Sequence, residues 1–209
     1  MALIKGMLLS FDNPLLGLIP TIVLFQYNPT EVTRVFTSEA PAGGSGPKAG
    51  AALAAPKPAM EDYSIKLELD ATDGLEKEAP LTSALGLGPR LAALEMLMQP
   101  VGSSLLGGLL GGLLGRGGAT IPAGKLPVVL FAWGPARVTP VRLKSLTIRE
   151  TSFDELLNPI HATADLGLTV LRKEDLAAGE TLARAAADFY KGAREVKAVL
   201  SIPQMIELA

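Results

Sequence analysis

The chain reads as a mainly β protein, a small antiparallel barrel or sandwich with one short inserted helix and a helix at its C-terminus. Three observations predict this class. Several segments alternate apolar and polar residues with the period of a half-buried strand. One of them changes phase midway, which marks a β-bulge and a bent strand. The final stretch switches to helical spacing. At 209 residues there is room for one substantial domain with or without an appendage.

Taken in order, residues 1–9 are apolar around Lys5 and fit a first strand. They lack the charged lead, long apolar core and small-residue cleavage site of a signal peptide. Residues 21–35 form an apolar strand that meets Asn28-Pro29 and then resumes as Glu31-Val32. Proline has no amide proton for a ladder and holds the residue before it out of the helical region, so strand, sharp turn, strand is expected. Tyr63, Ile65, Leu67 and Leu69 alternate with Ser64, Lys66, Glu68 and Asp70, giving one core face and one wet face. Residues 128–133 are continuously apolar up to Gly134-Pro135, as in a strand covered on both sides. In 137–150, Val141 and Leu143 share one parity while Leu146 and Ile148 take the other. That places a bulge near Lys144-Ser145, and such curvature suits a small closed barrel. Ala162, Ala164, Leu166, Leu168 and Val170 give a further strand.

Leu91, Leu94 and Met98 predict a short helix ending at Gln99-Pro100. In the C-terminal helix, Leu182, Ala186, Phe189, Ala193, Val196 and Leu200 form one apolar stripe, to be packed on the barrel or on a neighbouring subunit. Arg184–Asp188 and Lys191–Glu195 are placed to pair on the other side, and Pro203 is expected to stop the helix. The division expected is a β domain over 1–171, with flexible insertions at about 39–60 and 103–118, and a helical appendage over 172–209.

Several functions are disfavoured by composition. A net charge of −2 and 5% aromatic residues do not suit a nucleic-acid partner. Without cysteine there are no disulfides, thiolates or Cys-type zinc sites. His161 lacks partners at metal-ligand spacing and reads as structural. Asp70 and Asp73-Gly74 read as a strand-ending turn rather than a calcium loop. Residues 115–118 lack the Lys-Ser/Thr of a phosphate loop, and Ser103 and Ser104 lack a nucleophile elbow. Expected catalytic, cofactor and metal residues are therefore none. The Gly-Leu run 103–118 would set Gly107, Gly111 and Gly115 on one helical ridge, yet it falls short of the roughly 20 residues that span a bilayer. A loop is the plainer reading, ahead of a subunit-interface insert and of membrane contact. Trp133, before Gly-Pro at a strand end, reads as core, with an interface hot spot as the alternative.

Five phrases in order carry a family resemblance. They are Phe25-Gln26-Tyr27-Asn28-Pro29-Thr30-Glu31-Val32, Leu67-Glu68-Leu69-Asp70-Ala71-Thr72, and Pro127 through Gly134. The last two are Leu143 through Phe153 and Asn158-Pro159-Ile160-His161-Ala162. Together they resemble the N-terminal domain of the LysM-type baseplate and tube proteins of phage-tail-like contractile injection systems, over roughly residues 2–171. Ala178-Gly179-Glu180-Thr181-Leu182, with Ala186 and Phe189-Tyr190-Lys191-Gly192, is similar to the opening of a LysM module whose second half is not evident.

The resemblance implies a structural, non-enzymatic subunit of a ring-forming homo-oligomer, a hexamer, at the baseplate between spike hub and inner tube. Implied partners are sister copies, the inner tube protein, the spike or hub protein, and a sheath initiator or other baseplate proteins. The implied setting is a cytoplasmic assembly, within a particle either released or anchored. Interface candidates are Phe25, Tyr27, Asn28, Pro29, Trp133, Phe189 and Tyr190. A tube component at a terminal or cap-side position, and a membrane-active cargo, remain the alternatives.

Overall fold

Among the described residues, seven strands form a single antiparallel sheet whose order explains why it curls without closing. The structure, a computed structural model, describes residues 4–11, 21–38, 58–100 and 126–207. Strands β1 (Met7–Ser10), β2 (Thr21–Leu24), β3 (Val32–Thr37) and β4 (Met60–Asp70) come first. Three short helices follow: α1 (Thr72–Glu76), α2 (Pro80–Leu85) and α3 (Gly88–Met96). Then come β5 (Val129–Ala132), β6 (Val138–Phe153), β7 (Pro159–Val170), a 3-10 turn (Lys173–Asp175) and α4 (Thr181–Glu207). The insertions expected at 39–60 and 103–118 lie outside the described residues, apart from 58–60, where β4 begins.

Across the sheet the order is β2-β1-β5-β6-β7-β4-β3. Strands β2 and β3, separated by only residues 25–31, therefore sit at opposite edges. Six strand spacings in a flat sheet cover about 29 Å. Eight residues reach at most ~28 Å, and the Asn28-Pro29 turn shortens that further. The sheet has to curl. Rings on non-adjacent strands meet accordingly: Tyr63 of β4 stands edge-on to Phe131 of β5 at 5.3 Å.

Closure fails for a topological reason. Each of the six strand pairings is antiparallel, so six reversals leave β2 and β3 running the same way. Parallel neighbours need a crossover of a dozen or more residues, and the chain supplies seven here. The prediction of a mainly β antiparallel fold with a C-terminal helix is met. The barrel it implied remains an open, curled sheet.

The bulge falls where the phase change put it. Leu143 is opposite Leu168, Ser145 is opposite Gly167, and Leu146 is opposite Leu166, so Lys144 is the additional residue. Both parity classes of β6 thereby face inward, with Leu143 buried and Leu146 and Ile148 packed against the core. The core combines β4, β5, β6 and β7 with Leu87, Leu91, Leu94 and Leu97 from the α3 region. Strand β5 is covered on both sides, as its continuous apolar run requires: Val129 and Phe131 face this core. Leu130 faces a second, smaller cluster with Leu176, Ala183 and Ala186.

Three helical expectations need correction. The face of α4 turned to the body is Ala183, Ala186 and Tyr190; of the expected stripe Ala186 is buried and Ala193 half-buried, while Leu182, Phe189, Val196 and Leu200 are exposed and do not pack on the sheet. Small side chains let the helix approach the outer face of β5 and β6, which bulkier ones would hold off. Pro203 does not end the helix, which continues to Glu207. Inside a helix proline removes one N–H donor and crowds the carbonyl four residues back, a local cost of ~3 kcal/mol past which this 27-residue helix continues. The expected Arg184–Asp188 pair is also replaced. Arg184 donates to the Lys173 and Leu176 carbonyls at 2.9 Å each, and Asp188 takes Lys173 at 2.6 Å. No ion pair joins Lys191 to Glu195 among the described residues.

Candidate functional site

Two features at opposite ends of β4 organise the surface. The first is the seam between the sheet edges. Gly6 lies beneath it, and a Cβ there would sit 2.6 Å from the Trp133 ring and 2.7 Å from the Phe25 ring. Asn28 closes the turn over β1: its Oδ1 accepts the Gly6 N–H at 2.9 Å and its Nδ2 donates to the Ile4 carbonyl at 2.8 Å. Phe25, Phe131 and Trp133 pack with centroids 6.1–6.4 Å apart. Gln26 spans the gap to β4. Its Oε1 accepts from the Asp70 N–H at 3.0 Å and from Arg90 at 2.7 Å, so a side chain stands where a ladder partner would be.

Beside Gln26 is a cleft of about 260 Å³ lined by Asp70, Asp73, Lys77, Thr82 and Arg90 among others. The Asp70 carboxyl is held below the ordinary carboxylate range by hydrogen bonding from Thr72, whose N–H reaches Oδ1 at 2.7 Å. These groups share an open cleft without a nucleophile–base pair among them. His161 stands on β7 with Nδ1 2.9 Å from the Thr151 hydroxyl. Among the described residues no group of His, Cys, Asp and Glu could hold a metal ion, and no helix is long and apolar enough to cross a membrane.

The second feature is a buried carboxylate at the far end of β4. Glu61 is 4% exposed. Its Oε1 accepts from Arg34 Nε at 2.9 Å, Arg34 Nη2 at 2.6 Å and the Tyr190 hydroxyl at 2.8 Å. Its Oε2 accepts from Arg194 at 2.9 Å. The Tyr190 and Tyr63 hydroxyls lie 2.7 Å apart, and both guanidiniums sit over the Phe36 ring at 5.0 and 5.1 Å. Burial first, and then the bond to Tyr190, push the Tyr63 phenol far above its ordinary range. Burial likewise raises Tyr190. Four charge-assisted bonds satisfy a carboxylate that would otherwise be very costly to bury.

The interface candidates thus divide. Phe25, Asn28 and Trp133 gather around Gly6, with Phe25 buried and Trp133 half-buried. Pro29 is half-buried and Tyr27 exposed in the same turn. Tyr190 is buried against Glu61, while Phe189, next to it in sequence, faces outward. The Glu61 cluster escaped sequence reasoning although its signal was present. Glu61 shares the parity of Tyr63, Ile65, Leu67 and Leu69, so a charge stands on the apolar face of β4. Arg34 and Phe36 share a face of β3 in the same way.

No protein-family model matches the chain, and no curated protein matches it.

Proposed function

We propose that this chain is a structural subunit of a contractile injection particle, a baseplate ring adaptor that joins the spike hub to the inner tube. The observation that carries the reading is the pair of edge strands. Among the described residues, β2 pairs only with β1 and β3 only with β4. Both edges display large apolar side chains: Ile22 and Leu24 on β2, Val35 and Phe36 on β3. Edge strands with exposed apolar side chains are normally blunted or covered in a soluble protein. Because the two run in the same direction, β3 of one copy meets β2 of the next in the same way at every junction. That is the head-to-tail geometry that closes into a ring.

The ordered boxes from Phe25 to Ala162 support the same reading, as do the outward apolar residues of α4. In this role the ring offers the tube a nucleating surface, and the association energy comes from main-chain pairing along the edges with apolar burial beside it. Immunogold labelling of intact particles tests the proposal. Label at the spike end is expected. Label at the distal end instead moves the chain to a cap-side adaptor, and absence from particles ends the reading.

A further inference from the structure

We infer that α4 is an ion-clamped arm, a helix that opens from the body as its own unit while the sheet stays folded, with Glu61 as the catch. Its apolar attachment is small. Ala183 and Ala186 of α4 meet Leu130 and Leu176, with Leu9, Val138 and Leu171 partly buried beside them, whereas the main core joins β4–β7, the strand-end aromatics and the α3 leucines. The remaining hold is polar: Tyr190 and Arg194 on Glu61, Lys173 on Asp188, and Arg184 on two carbonyls of the preceding turn. Beyond Arg194, every side chain from Glu195 to Ser201 is exposed, Val196, Val199 and Leu200 included. The distal helix therefore buries none of these side chains against the other described residues. Few buried apolar contacts and many exposed backbone bonds are the physical signature of a segment that opens locally.

The chemistry of the catch makes opening reversible. Glu61 and Arg34 lie on adjacent strands and hold each other without α4, so release leaves no orphaned charge in the sheet. Arg194 is half-exposed while clamped and returns readily to water. Tyr63 loses the Tyr190 hydroxyl, which water replaces. Gly192 sits between the two clamping residues, with no atom of the described residues within 4 Å of the place a Cβ would take. No packing demands a glycine there, and glycine within a helix favours bending and fraying. The arm stands independently of the proposed ring function.

Amide hydrogen exchange on the full chain tests it. Amides of 191–201 are expected to exchange at least about tenfold faster than those of β4 and β7. Their exchange should rise a further several-fold between about 0.1 M and about 1 M salt, while the sheet amides hold still. Arg194→Gln keeps the Glu61–Arg34 pair and should accelerate α4 exchange by about tenfold without touching β4 or β7. If α4 and the sheet instead exchange together, or if Arg194→Gln accelerates both alike, the helix is an integral part of one cooperative unit and the inference is overturned.

Discussion

Gly6 and Glu61 show how single residues decide packing at the two ends of β4. The Gly6 position is crowded by the Trp133 and Phe25 rings, each closer to an added Cβ than real contacts allow. Gly6→Ala is therefore expected to cost about 2–3 kcal/mol, the upper part of the range for overpacking a core. Urea unfolding would read this as a lower midpoint at unchanged slope. Glu61→Gln should cost about 2–3 kcal/mol, less than a fully buried broken ion pair, because Arg34 and Arg194 keep contact with water. The phenols above it give a pH signature. Tyr63 and Tyr190 are raised from an ordinary 10.0, so the stability they contribute is complete below pH 10 and lost as pH climbs beyond it. Thermal midpoints should fall above pH 10, and Tyr63→Phe should flatten much of that fall.

At the scale of elements, the β6–β7 hairpin carries a defined strain. Its turn is tied by Asp154, whose Oδ1 accepts the Leu156 and Asn158 N–H groups at 2.8 and 2.7 Å. Leu157 is held at φ 63 with 79% of its surface exposed, a backbone state that a leucine gains nothing from occupying. Leu157→Gly should raise stability by about 1 kcal/mol, measured as a higher melting temperature. Strands were the most legible elements. Alternation at 63–70, the apolar run at 128–133 and the phase change at Lys144-Ser145 all reported real burial. The face of α4 was only partly legible: Ala186 of the expected stripe is buried, but Ala183 and Tyr190 complete the contact while the large apolar residues of the stripe stay exposed. Helix α1 was missed because Asp73-Gly74 reads as a strand-ending turn, and α2, of six residues, is too short to show a period.

For the whole molecule, the decisive fact is the parity of the sheet. Six antiparallel pairings leave two like-directed edges that a seven-residue link cannot pair, so the molecule carries an open seam by construction. Alternation patterns report which face of a strand is buried. They say nothing of which strand lies beside which, and for that reason strand content was legible while the missing closure was not. The clamp was hidden for a related cause. Arg34, Glu61 and Arg194 are brought together across 27 and 133 residues of sequence, and only topology connects them. If the seam is an assembly edge, its apolar side chains should govern self-association and leave monomer stability nearly unchanged. Ile22→Lys with Leu24→Glu should abolish oligomers in light scattering and shift the melting temperature little. The most direct measurement is electron microscopy of the purified full chain at concentrations that favour assembly. The account predicts closed rings with six-fold symmetry that vanish in the Ile22→Lys, Leu24→Glu variant. A uniform population of single copies, or rings indifferent to that change, would contradict it.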